Sequence, residues 1–186
     1  MLYYTFTESS IMSKSRDISV DVEADGPAPG IHSMISFGAV IVENGLQRTF
    51  YAELKPVGDV WIPEALAISG FTREHVMKFP EPIDAMQNFE IWLNKNVEGR
   101  PVLWSDNNGF DAGYMNYYFW KYLNRNPFGW SSANLGSFYK GIRKDTYATF
   151  KHLRDTKHTH NPVDDAKGNA EALIKMQGMI KTGNIY

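Results

Sequence analysis

The chain has 186 residues, 43% of them hydrophobic, with no cysteine and a formal net charge of −2 at neutral pH. That length suits one domain burying roughly 70% of its unfolded surface. The lack of thiols excludes disulfides and thiolate metal sites, and the slight acidity counts against a broad nonspecific duplex-binding surface, which needs a pronounced basic patch.

No apolar run approaches a membrane span, and a chain without cysteine is compatible with a reducing cytoplasm, the expected location. Residues 1–16 read as an N-terminal extension, with Met12 as an alternative start to Met1, and residues 17–186 read as a single domain. In Asp17 to Glu23, apolar Ile18, Val20 and Val22 alternate with polar residues, which predicts a strand with Asp21 and Glu23 on one face. Two carboxylates so placed raise each other's pKa unless hard cations lie between them. Gly26 to Gly30, with two prolines in five residues, predicts a loop beside them. Met34 to Val42 reads as a second strand, Asn44-Gly45 as a two-residue hairpin turn, and Thr49 to Leu54 as a third strand. Pro63 to Ser69 and Thr72 to Lys78 read as short helices and Ile83 to Asn94 as a longer one. Pro101 to Trp104 is a buried strand, followed by a turn and an aromatic helix through Tyr114 to Leu123 with Asp111 near its start. Ala166, Ala170, Leu173, Ile174, Gln177 and Ile180 recur at helical spacing behind Pro162, an entry suited to a final amphipathic helix. Three antiparallel strands and then a parallel strand flanked by helices give an α/β domain with a mixed central sheet. The acidic residues are expected in a cleft at one edge of that sheet.

Three clusters stand out: Asp21 with Glu23, Asp111, and His160 with Asp165. Singly, each has a plain structural explanation. Asp21 and Glu23 suit a solvated strand face, Asp111 a first-turn acid favoured by the helix dipole, and His160 a surface loop. His152, His158 and His160 also have the composition of an adventitious zinc or nickel site. Taken together in this order, four carboxylates without a basic partner call for cations.

On these residues the chain resembles the DEDDh branch of the DnaQ-like, or ribonuclease T-like, exonucleases. Asp21 and Glu23 match the Asp-x-Glu motif, Asn107, Phe110 and Asp111 match Asn-x-x-Phe-Asp, and His160 and Asp165 match His-x-x-x-x-Asp. The resemblance runs from residue 17 to about residue 180. It departs from the family pattern at Asp25-Gly26-Pro27, where Thr-Gly-Leu is frequent, and at Asp106, where His often precedes the Asn. Neither change removes a metal ligand.

The resemblance implies a ribonuclease H-like fold and a 3′-to-5′ exonuclease that releases nucleoside 5′-monophosphates from single-stranded DNA or RNA. It implies two divalent cations, Mg²⁺ or Mn²⁺: Asp21 bridges both, Glu23 and Asp165 complete the site carrying the nucleophilic water, and Asp111 supports the other ion. His160 is the implied general base. Ala24, Gly26, Asn107 and Phe110 are the expected nucleotide-binding positions, with Phe110 either stacking on a base or anchoring its helix. Phe37, Trp61, Phe71, Trp104 and Tyr114 are further stacking candidates. Lys140, Arg143, Lys144, Lys151, Arg154 and Lys157 either guide the phosphodiester backbone or form a solvated helix face and loop. A homodimer is a further family expectation. The alternatives are an enzyme restricted to dinucleotides or very short RNA, and a non-catalytic nucleic-acid-binding module.

Overall fold

The computed structural model describes residues 16–183; the expected N-terminal extension lies almost wholly outside them. Five strands form the sheet: β1 (Asp17–Ala24), β2 (Met34–Ile41), β3 (Thr49–Glu53), β4 (Val102–Ser105) and β5 (Ala133–Asn134). Their spatial order is β3-β2-β1-β4-β5, with β1/β2 and β2/β3 antiparallel and β1/β4 and β4/β5 parallel. The helices are α1 (Pro63–Ile68), α2 (Arg73–Val76), α3 (Pro82–Asn96), α4 (Asn108–Leu123), α5 (Leu135–Arg143) and α6 (Pro162–Thr182). Among the described residues no helix is long and apolar enough to cross a membrane.

Both faces of the sheet are covered, so the alternation of β1 separates two interiors instead of a core from solvent. Ile18, Val20 and Val22 join Phe37, Ala39 and Ile41 in a layer with Met86, Phe89 and Leu93 of α3 and Met115 and Phe119 of α4. Phe89 organises that layer, its ring 4.9 Å from both Phe37 and Phe50 and 5.9 Å from Phe119. On the opposite face, Val40 and Val42 pack with Leu135 and Tyr139 of α5 and Ala166, Ala170, Leu173 and Met176 of α6. Leu66, Val76 and Phe79 close a small third cluster over Ile35.

Two features of this sheet make room for a site. β4 pairs only with Asp17 to Ser19, so the last residues of β1 run past its end and leave their backbone N–H groups on that side unclaimed by a strand. A register shift at Glu23/Ala24 then bends the end of β1, as bulges near functional sites do. On the β2 side, Gly38 pairs with Asp21, and a Cβ at Gly38 would overlap the carbonyl of Pro162 and the amide of Val163. Glycine therefore lets the start of α6 settle directly on the sheet.

The structure departs from the sequence expectations in three places. The acidic residues sit at the C-terminal end of the middle strand, not at a sheet edge. Asn44-Gly45 does not close a two-residue hairpin: pairing of β2 with β3 ends at Val40↔Thr49, and the Leu46 N–H donates to the Glu43 carbonyl. Gly45 has φ +86° whereas Asn44 has no positive φ, the pattern of a type II turn inside a wider loop. Finally, β5 and α5 were not anticipated as elements, although Leu135, Phe138, Tyr139 and Ile142 are spaced for one apolar helical face behind an Asn134 cap that accepts from the Ser137 N–H at 2.7 Å.

Candidate active site

Three elements hold the four acids. Asp21 and Glu23 project from β1 on the α6 side of the sheet. Asp111 lies in the first turn of α4, 3% exposed, and its Oδ1 accepts the Val22 N–H at 3.1 Å, one of the β1 amides that β4 leaves open. A helix carboxylate thus substitutes for a missing strand partner and fixes where α4 begins relative to β1.

Asp165 is positioned by its own loop. The Asn161 side chain caps α6 by accepting from the Val163 and Asp164 amides, with Pro162 at the first helical position. His160, just ahead, adopts φ +60°, in the left-handed region. That turn folds the preceding backbone over α6, so the Thr159 N–H donates to Asp165 Oδ1 and the His160 N–H to Asp165 Oδ2, both at 3.0 Å. Asp165 is consequently 2% exposed. The His160 side chain is 48% exposed, with Nδ1 3.9 Å from Glu23 Oε1.

Ligand oxygens of Asp21, Glu23 and Asp165 lie within 4.8 Å of one another, and Asp111 adjoins them through Val22. Among the described residues, the ion-pair contacts at these acids are with histidines: His158 Nδ1 at 2.9 Å from Asp165 Oδ2, and His160 near Glu23. The electrostatic result is strain in the anionic state. Burial first, then Asp111, Glu23 and Asp165, raises the Asp21 pKa well above the usual carboxylate value, opposed by the field of Arg154. Burial, then Asp165 and Asp111, pushes Glu23 up to about 7. Burial pushes Asp111 up to about 7, against the pull of hydrogen bonds from Val22 and Ser105. Converging oxygen donors that resist ionising alone are a suitable donor set for hard divalent cations.

The expected nucleotide-binding positions border this cluster. Ala24 and Gly26 are buried and Asn107 is exposed. Gly26 packs so closely on His32 that a side chain there would overlap the ring, and its carbonyl accepts from Tyr114 Oη at 2.6 Å. The unusual Asp25 is a brace for this loop: Oδ1 accepts the Ser33 N–H at 2.6 Å and Oδ2 meets Arg73 at 2.9 Å. Phe110 is half-buried, with its ring 5.0 Å from Tyr114. Phe37 and Tyr114 have no exposed surface and cannot stack on a base. Trp104 packs against Phe138 and donates its indole N–H to Asp17, while Trp61 and Phe71 pack on the cluster over Ile35.

Two residues near the site carry more than the sequence suggested. Arg154 does not belong to a backbone-guiding basic stretch: it is largely buried, donating to Asp106 Oδ2 at 2.9 Å and Asn169 Oδ1 at 2.5 Å. Asp106, the departure before the second motif, is thereby its ion-pair partner. Lys140, Arg143, Lys144 and Lys157 are exposed. The histidine set is also revised: His152 pairs with Tyr139, ring centroids 5.8 Å apart, and the group able to share an ion is His158, His160 and Asp165. The His-x-His spacing was the available signal for His158.

Comparison with known proteins agrees with this geometry. Residues 18–173 match the model of the RNase_T exonuclease family. The chain is 35% identical over 168 residues to the 3′-5′ DNA exonuclease Cap18 of Escherichia coli, covering 83% of this chain and 87% of that protein. The nuclease domain of 3′hExo, a DEDDh family member bound to rAMP, superposes with a TM-score of 0.68 at 16% identity, covering 90% of this chain and 92% of that one. An E. coli ExoI–ssDNA complex superposes with a TM-score of 0.64 at 14% identity over 93% of this chain and 42% of the larger enzyme. Family membership carries a dependence on divalent metal. With its mixed sheet, its three acidic motifs and these relatives, the chain belongs to the RNase_T exonuclease family and is a 3′-5′ exonuclease of the DEDDh type.

Proposed function

We propose that the protein removes nucleoside 5′-monophosphates one at a time from the 3′ end of single-stranded DNA, with Asp21, Glu23, Asp111 and Asp165 holding two Mg²⁺ or Mn²⁺ ions and His160 acting as general base. The observation that carries this reading is the convergence of Asp21, Glu23 and Asp165 from β1 and α6, with Asp111 of α4 bonded to the Val22 amide between the first two and an exposed imidazole beside Glu23. The choice of DNA over RNA rests on the name of the 35% identical relative.

The bound cations supply Lewis-acid stabilisation of charge on the attacking and departing oxygens. The chain supplies the rest. His160 is half-exposed and tethered by its own N–H to Asp165, so its ring can take a proton from water at the moment of attack on phosphorus, a contribution of about 10² to 10⁴ in rate. The bond to the 3′ oxygen breaks, and that oxygen takes a proton from solvent. Asn107 and Phe110 flank Asp111 where the terminal nucleotide would enter, and the braced Ala24–Gly26 segment continues from Glu23 on the β1 side.

The test uses 5′-labelled single-stranded DNA and RNA of equal sequence, with Mg²⁺, Mn²⁺ or EDTA. A metal-dependent ladder shortening from the 3′ end of DNA, absent in Asp21→Ala and weakened in His160→Ala, supports the reading. Equal or faster degradation of RNA overturns the DNA assignment, and a ladder unaffected by His160→Ala overturns the role of the base.

A further inference from the structure

We propose that His158, His160 and Asp165 form a site for a borderline transition metal, Zn²⁺ foremost, and that its occupation shuts the exonuclease down. Ligand atoms of these three residues lie within 4.8 Å of one another. His158 Nδ1 is already 2.9 Å from Asp165 Oδ2, and the two imidazole rings stand 4.3 Å apart at 69°. Zinc bonds of about 2.0 to 2.2 Å at a tetrahedral angle put neighbouring ligand atoms roughly 3.4 Å apart. The His158–Asp165 pair, now 2.9 Å apart, needs to open only slightly to admit an ion between them.

Geometry and exposure both favour capture. Asp165 is locked by two backbone amides, which makes it a fixed anchor. His158 and His160 are 53% and 48% exposed at the side chain, so both rings can swing the short remaining distance and the ion can enter from solvent. The left-handed His160 backbone brings the two rings to the same side of the loop. Three protein donors and one open position match the usual arrangement of an accessible zinc ion. Donor chemistry separates this site from the carboxylate cluster: imidazole suits Zn²⁺, Ni²⁺ and Cu²⁺, whereas Mg²⁺ takes oxygen ligands and competes poorly. An ion here would occupy a His160 ring nitrogen and divert Asp165. The inhibitory half of this inference rests on the roles proposed above for those two residues; the binding half does not.

The experiment is calorimetric titration of the full chain with Zn²⁺ in a large excess of Mg²⁺, comparing wild type, His158→Gln and Asp21→Ala. The expected result is one equivalent bound by wild type and by Asp21→Ala, with affinity reduced more than about tenfold in His158→Gln. Zinc binding unchanged in His158→Gln, or lost in Asp21→Ala, would place the ion among the carboxylates and overturn the site. Turnover is then read as the ratio with and without Zn²⁺ for wild type and for His158→Gln, so a change in basal rate does not enter. A ratio well below one in wild type and near one in His158→Gln supports inhibition. Zinc bound through His158 with undiminished wild-type turnover overturns it. Should His160→Ala prove fully active, the base assignment fails while the calorimetry still decides the site.

Discussion

The Pro162 carbonyl at the start of α6 rests against Gly38, the residue that pairs with Asp21 across the sheet. Asp165 and His160 are attached to that same start of α6, so the glycine sets their distance from the β1 acids. Gly38→Ala is expected to destabilise the fold by about 1 to 3 kcal/mol through overpacking. It is also expected to lower kcat by about 10², the cost of moving catalytic groups by roughly 1 Å. Thermal denaturation and single-turnover kinetics check this together. Full activity in the variant would show that another contact positions α6.

Asp21→Asn separates stability from function. At neutral and higher pH the Asp21 anion is opposed by burial and by three neighbouring carboxylates. An isosteric amide removes that repulsion, so the variant should melt above wild type in EDTA yet show no metal-dependent cleavage. A lower melting temperature in EDTA would mean that Asp21 contributes hydrogen bonding worth more than its charge costs.

The sequence exposed the acids but not their arrangement in depth. Alternation in Asp17–Glu23 identified β1 and the shared face of Asp21 and Glu23, and Pro162 with its trailing apolar spacing identified α6. Alternation alone does not tell a strand facing solvent from one with helices on both faces, and it does not rank strands across a sheet. The central position of β1 follows from a parallel pairing with residues some 85 positions away, which no local pattern encodes. The roles of Gly38 and Asp106 were equally hidden. One depends on the approach of α6 from the far end of the chain, the other on Arg154 reaching back 48 residues. The signals for α5, by contrast, are local, an apolar spacing behind an Asn134 cap, so its absence from the sequence expectations has no long-range cause.

Metal-free stability should fall as pH rises. Glu23 and Asp111 are both pushed up to about 7 from ordinary values of 4.5 and 3.8, so between those values the folded protein holds protons that the unfolded chain has released. A raised carboxylate pKa gives stability that is present at low pH and lost as pH climbs through the folded value. Melting in EDTA should therefore decline from about pH 5 to about pH 8. With the ionised cluster holding the cation as proposed, and the unfolded chain not, saturating Mn²⁺ should reverse the trend. A melting temperature in EDTA that is flat or rising over this window would contradict the assignment of strain to these acids.

Arg154 offers the sharpest test of how the second motif's departure is accommodated. Its side chain is 9% exposed, lies 5.2 Å over the Phe150 ring, and bonds both Asp106 and Asn169. Gly168 leaves room for it, since a Cβ there would sit 3.2 Å from Arg154 Cδ. Arg154→Met would leave Asp106, among the described residues, with only Lys151 as an ion-pair partner, 3.5 Å away and exposed, at a cost of about 3 kcal/mol, the low end for a broken buried pair because Asp106 is partly exposed. Asp106→Asn in the same chain should recover part of that loss, since it removes the unpaired charge. Arg154→Lys should not restore wild-type stability, because both bonds come from Nη2 at the far end of the guanidinium, one bond beyond the reach of a lysine ammonium, and the planar group over Phe150 is lost with it. The functional consequence has its own sign. The field of Arg154 lowers the pKa of Asp21, so its removal keeps Asp21 protonated to higher pH and delays metal binding. The acidic limb of the pH–rate profile should move upward in Arg154→Met, and added Mn²⁺ should move it back. An unshifted limb would confine Arg154 to holding the loop that carries Asp106.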